Sequence, residues 1–155
     1  MKKLLLVGSH GLAIALGFAL GVYFLPVLIA PPAPTDATVS ALAAQASFKG
    51  EFRRDLKDSD ALHWGEGKVS VSRNAVALLG ALAPGPDYRL YLSPEFVDTE
   101  TDFNRIKDRM VQVGDVRTFR NFLVPVPEAV DPAHYNTVVV WCEAFGQFIT
   151  AAKYR

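Results

Sequence analysis

The sequence predicts an all-β domain, a small antiparallel β-sandwich or barrel, behind a single N-terminal transmembrane helix. Three observations predict it. A long apolar run without Asp, Glu, Lys or Arg, Leu4 to Ala30, opens the chain. Beyond it, seven to nine short strand-like runs, several alternating with period two, are separated by turn residues over roughly 110 positions. No βαβ rhythm interrupts them, so a doubly wound sheet that cradles phosphate is not expected.

The apolar run comes first. From Leu4 to Leu25, before Pro26, a helix would extend roughly 33 Å at about 1.5 Å per residue, enough for the bilayer hydrocarbon. His10 is the only ionisable side chain between Leu4 and Leu25 that could charge near neutral pH, and it lies near the N-terminal end. A cleaved signal peptide would have a shorter apolar region, about 7–15 residues, and then a small-x-small site. Here the run ends in "APPAP", with Pro31, Pro32 and Pro34, a poor protease substrate. The expectation is an uncleaved signal anchor. Lys2 and Lys3 precede the helix and the next basic residue is Lys49, so the positive-inside rule keeps the N-terminus cytoplasmic and exports the rest. Ala13, Gly17 and Gly21 recur on one helix face, and "GFALG" is a GxxxG pattern through which two anchors could form a homodimer.

The expected organisation is a transmembrane signal anchor over 1–30, a Pro/Ala-rich tether over 31–46 and a β-domain over 47–155. The tether is stiff at its prolines, and Thr38 to Ala46 reads as a short helical stem. In the domain, "GKVSVSR" places Val69 and Val71 on one face and Ser70 and Ser72 on the other. "NAVALLGAL" follows a turn at Arg73–Asn74, which predicts a hairpin. "APGPD" is a turn by composition, with the Asp87 side chain expected to bond a following backbone N–H. "YRLYLS" sets Tyr88, Leu90 and Leu92 against Tyr91 on the opposite face. Phe103, Ile106 and Met110 have helical spacing in "TDFNRIKDRM". "VQVGDV", "TFRNFLVPV", "NTVVVWCEAF" and "QFITAAKY" supply the remaining strands.

Charge and motif content exclude several function classes. Sixteen basic residues balance sixteen acidic ones, and with Lys2 and Lys3 set apart the exported part has two more acids than bases. That is no footprint for nucleic acid. Neither phosphate-loop nor dinucleotide fingerprint occurs. A zinc site needs about four ligands, whereas His63, His134 and Cys142 stand far apart in the exported sequence. No G-x-S-x-G occurs, and no catalytic constellation is visible, so a conventional enzyme ranks last. His63 in "LHWGEG" has two readings: a ligand, with Cys142 or Met110 as partner, or a turn residue beside a packed Trp64.

Cys142 is the only cysteine. Alternation puts Val138, Val140 and Cys142 on one face of its strand and Val139 and Trp141 on the other, both apolar, which predicts a central strand. Burial there raises a thiol pKa and suppresses the reactive thiolate, and Glu143 next door should push the same way. No Lys, Arg or His lies within five positions to oppose this. The residues by themselves therefore read as a packed, inert thiol, in a non-catalytic binding or structural module at the cell envelope.

Four blocks in order, "FKGEF", "LHWGEGKVSV", "GPDYRLYLS" and "YNTVVVWCEAF", resemble the DM-13 domain family over 48–155. The resemblance implies a small all-β extracytoplasmic domain labelled "electron transfer". In animals such domains accompany DOMON and cytochrome b-type modules, and in bacteria they stand alone behind a membrane anchor or lipoprotein signal. Carried over, it implies a periplasmic domain on a bacterial inner membrane, with a redox or envelope protein as partner. It puts the redox candidates at Cys142 and Trp141, a possible ligand at His63 and a structural turn at Gly85, Pro86 and Asp87. No cofactor is required, and haem and copper stay open. One block departs: the family's G-x-Q-x-Y is replaced by Thr118, Arg120 and Phe122 in "TFRNF", so this chain lacks that Gln amide and Tyr hydroxyl.

Overall fold

The computed structural model describes residues 1–155. Eight strands form two antiparallel four-stranded sheets. The first sheet has the order β1-β2-β3-β6, from Phe48–Phe52, Gly65–Val71, Ala75–Leu82 and Arg120–Pro125. The second has the order β5-β4-β7-β8, from Val111–Val116, Tyr88–Ser93, Thr137–Cys142 and Gln147–Lys153. Each strand presents one apolar row to the other sheet, so the two sheets stack as a sandwich rather than closing into a barrel. The chain as a whole is not all-β, because three α-helices accompany the sheets: α1 (Lys2–Ile29), α2 (Asp36–Ala43) and α3 (Glu100–Ile106).

Period-two alternation decides which side chains enter the core. Val69, Val71, Tyr88, Leu90, Leu92, Val138, Val140 and Cys142 all join the inter-sheet cluster. Tyr91, Val139 and Trp141 face the other way, into a second cluster with Phe103 and Ile106 of α3. Strand β7 lies between β4 and β8, and all six of its residues are buried. The β2–β3 hairpin turns at Arg73–Asn74, closed by the Ser72 amide on the Ala75 carbonyl at 2.9 Å. Helix α3 stops at Ile106, four residues before Met110, and the chain continues as a 3₁₀ turn, Lys107–Arg109.

Helix α1 is long and apolar enough to cross a membrane. It runs past Pro26 to Ile29, one turn further than a stop before the proline. Pro26 removes the N–H that would bond the Val22 carbonyl, and because it lies in the last turn the break falls at the end of the helix. Residues 1–21 are exposed along their whole length, so α1 leaves the domain rather than packing along it.

The segment after α1 packs on the first sheet. Thr35 caps α2, accepting a bond from the Thr38 amide at 3.2 Å, and Val39 is buried against a sheet face contacted at β2, β3 and β6. A register shift between Leu78 and Ala81 leaves the Gly80 amide outside the β3–β6 ladder. The Asn121 side-chain oxygen accepts from that amide at 3.0 Å, while its Nδ2 donates to the Pro34 carbonyl at 3.0 Å and to the Asp36 carboxylate at 2.7 Å. Asn121 is buried at φ 50°, a left-handed conformation that Asn tolerates better than most residues. Asn121→Ala should therefore lower stability by about 1–3 kcal/mol, by stranding the Gly80 amide and freeing the start of α2. Urea unfolding checks the loss, and faster amide exchange in α2 checks its cause.

Candidate functional site

Strands β4 and β7 meet at Tyr88 and Cys142, which are cross-strand partners at one end of the second sheet. Four loops converge there: 60–64, 83–87, 117–119 and 143–146. The Glu143 amide bonds the Asp87 carbonyl at 3.0 Å, which extends the ladder one step past Cys142. The Ala83 amide bonds the Trp64 carbonyl at 2.9 Å and ties the first two loops together. A cavity of about 70 Å³ sits at this end, lined by Cys142, His63, Leu62, Pro84, Gly85, Pro86, Tyr88, Phe145, Gln147 and Ile149, and by Val22 and Tyr23 of α1.

The Cys142 thiol is free and 2% exposed. Burial pushes its pKa up, and the Asp87 carboxylate adds to the rise. The backbone amides of Phe145, Asp87 and Ala144 oppose this, because they can donate to a sulfur anion. Glu143 does not act on the thiol as its sequence position suggests, because it turns toward α3. There it accepts from the Tyr91 hydroxyl and pairs with the Lys107 ammonium at 2.8 Å. Burial works against the charge on Glu143, but Lys107 and Tyr91 outweigh it and hold the carboxyl below its ordinary range.

His63 is set by the loop that carries it. Asp60 accepts the amides of Leu62 and His63 at 2.6 and 2.7 Å through Oδ1, and its Oδ2 meets the His63 Nδ1 at 3.0 Å. Burial opposes the Asp60 charge, but these bonds outweigh it and keep the carboxyl below the ordinary range. Trp64 packs under the Arg54 guanidinium, 3.3 Å from its ring centroid. In the 83–87 loop, the Asp87 carboxylate bonds the Arg89 guanidinium at 2.8 Å instead of a following amide. Arg89 also pairs with Asp115 on the neighbouring strand, so two carboxylates share one cation. Gly85 lies directly against the Tyr88 ring, which meets Phe119 edge-on at 5.9 Å between centroids.

The fold brings Cys142, His63, Gly85 and Pro86 to one cavity, and Asp87 to its edge through the Glu143 bond. Trp141 is kept apart: its ring stacks on Phe103 on the opposite face of the sheet. Met110 also packs on that outer cluster, and His134 lies in a 3₁₀ turn (Pro132–His134) before β7, so neither joins His63. Tyr88, Phe145 and Tyr23 are cavity residues that sequence reasoning missed. Register could have found Tyr88, because "GPDY" starts the strand that pairs with "VVVWC". Tyr23 had no signal, because nothing in the sequence says where α1 meets the domain.

The family model described as "Electron transfer DM13" matches residues 51–154. The chain belongs to the DM13 electron-transfer family. No curated protein and no solved structure matches it. The DM13 match spans all eight strands except the first three residues of β1, and both Cys142 and His63 fall inside it. Cys142 and His63 are two donors in this cavity, and no group of three or more His, Cys, Asp or Glu is placed to hold a metal.

The thiol and Tyr88 both give this DM13 domain an alkaline limit. Burial raises both pKa values in the folded chain. Below the unfolded thiol value, roughly pH 8.5, both states keep the proton and stability is flat. Above it the unfolded chain releases its proton first, so stability falls as pH rises. Tyr88 adds a further fall from roughly pH 10. The urea midpoint is expected to drop across this window, with the first part of the drop absent in Cys142→Ala.

Proposed function

We propose that this chain is a membrane-anchored electron-transfer domain, held on the periplasmic side of a bacterial inner membrane, with Cys142 as its redox group. The observation that carries the reading is the cavity that the only thiol and His63 line together. Family membership supports the redox role, and the length of α1 together with Lys2 and Lys3 supports the anchoring and its direction. The GxxxG pattern of Gly17 and Gly21 supports the pairing of two such anchors.

The chemistry that suits one thiol without a metal cluster is exchange with a partner protein's disulfide. Cys142 gives its proton to water, and the thiolate attacks one partner sulfur. A mixed disulfide forms, the partner's S–S bond breaks, and its other sulfur leaves as a thiolate with the bonding electron pair. Burial keeps the population of the thiolate low until a partner docks, and the amides of Phe145, Asp87 and Ala144 favour the anion once it forms.

The 2% exposure of Cys142 favours a second reading, a non-catalytic module whose thiol only fills the core. Maleimide labelling of the full chain in detergent, folded and in urea, separates the two, together with exposure to oxidised glutathione. The redox reading expects slow labelling of the folded chain and a mixed disulfide that is absent in Cys142→Ser. Labelling only after unfolding, with no mixed disulfide, would leave the inert module.

A further inference from the structure

The end of the sandwich that carries Cys142 also carries half-exposed apolar side chains. Leu62 is 56% exposed and Phe145 is 52% exposed, and they stand on two different loops at the same cavity. The other large apolar side chains exposed on the β-domain lie elsewhere. Phe96 follows the far end of β4, and Leu123 sits in the edge strand β6. Beside Leu62 and Phe145 the cavity wall is completed by Val22 and Tyr23 of α1.

The depth of that wall follows from helix length. Bilayer hydrocarbon about 30 Å thick takes about 20 helical residues. Counted from Leu4, just after Lys3, this places Tyr23 and Phe24 at the exit, the level where amphipathic aromatic rings concentrate. The domain meets α1 around that level, where Phe18, Val22, Tyr23, Pro26 and Ile29 line grooves shared with Pro86. Among the charged groups at this end, Arg89 pairs with Asp87 and Asp115, and Arg117 with Asp115, while Asp60, two residues from Leu62, is bonded to the His63 Nδ1.

We propose that this end of the domain rests on the bilayer that α1 spans, with Leu62 and Phe145 in the boundary between headgroups and acyl chains. The Cys142 cavity then opens onto the membrane surface rather than bulk water. Whatever reaches the thiol arrives along that surface, so the partner protein is itself membrane-bound. The inference rests on the anchor reading above, and the test separates the two.

The full chain is placed in phosphatidylcholine–phosphatidylglycerol vesicles. Single cysteines at Leu62→Cys, Phe145→Cys, Phe96→Cys, Leu123→Cys and Leu12→Cys, in Cys142→Ala, carry a bimane fluorophore. Quenching by lipids with a shallow or deep nitroxide is compared with quenching by aqueous iodide. Positions 62 and 145 should respond to shallow lipid nitroxide several-fold more than 96 and 123, and be shielded from iodide. If they answer iodide as 96 does while position 12 is quenched by deep nitroxide, the anchor stands and the resting surface is overturned. If position 12 itself answers iodide, the anchor reading fails and this inference with it. Phe145→Trp with Cys142 left in place, read as quenching by brominated chains beyond that of Trp64 and Trp141, tests the same point should Cys142→Ala not fold.

Discussion

Gly85→Ala is expected to cost the domain about 1–3 kcal/mol and to make Cys142 react faster with thiol reagents. A Cβ at Gly85 would stand well inside van der Waals distance of the Tyr88 Cε1, Cζ and Oη atoms. A flexible side chain would swing away, but this ring has little room. It is buried, it belongs to the inter-sheet core, and Phe119 closes on it edge-on at 5.9 Å. Either the loop 83–87 lifts or the ring leaves its place. Both open the cavity at Cys142, because Tyr88 is its cross-strand partner and the Asp87 carbonyl holds the Glu143 amide. Urea unfolding and maleimide kinetics on the same sample check the pair of effects. An unchanged midpoint with an unchanged thiol rate would mean that the ring yields freely and that the glycine has no such role. Loss of stability without faster labelling would separate the turn from access to the thiol.

The inter-sheet face of the domain was legible because period-two alternation is a local property. Val138, Val140 and Cys142 had to share a face, and only an apolar environment suits both faces of "VVVWC". The same rule separated Tyr91 from Tyr88, Leu90 and Leu92. What lies across a turn or between sheets was not legible. Glu143 follows Cys142 in sequence yet faces α3, because the next residue along a strand points to the opposite face. Asp87, far away in sequence, is the carboxylate that acts on the thiol, because the β4–β7 pairing brings its loop alongside. His63 reaches the cavity although no basic residue lies near Cys142 in the chain. Asn121 carried no signal either, because the bulge it completes arises from a register shift in another strand.

Trp141→Ala is expected to remove about 3–5 kcal/mol, a large share of the roughly 5–15 kcal/mol that holds a domain of this kind. The indole is 2% exposed and stacks on Phe103 at 3.9 Å with 7° between the ring planes. Tyr91 meets Phe103 edge-on at 5.2 Å, and the Lys107 ammonium lies 5.8 Å from the indole centroid. Deleting the indole leaves α3 without the flat surface that Phe103 packs on, and the cavity cannot close without moving the helix. A double-mutant cycle with Phe103→Ala should return a coupling of about 0.5–1.5 kcal/mol beyond the lost area. The informative variant for function is Trp141→Phe, which keeps an apolar ring over the sheet. Its neighbour in sequence is the proposed redox thiol, but the ring lies on the other face, with a backbone layer between them. Thiol labelling and mixed-disulfide formation by Cys142 are therefore expected to be unchanged in Trp141→Phe, while near-ultraviolet circular dichroism changes with the lost indole. A several-fold change in thiol rate at unchanged stability would mean that Trp141 acts on the thiol through the strand itself. That result would extend the redox site to the outer face under α3.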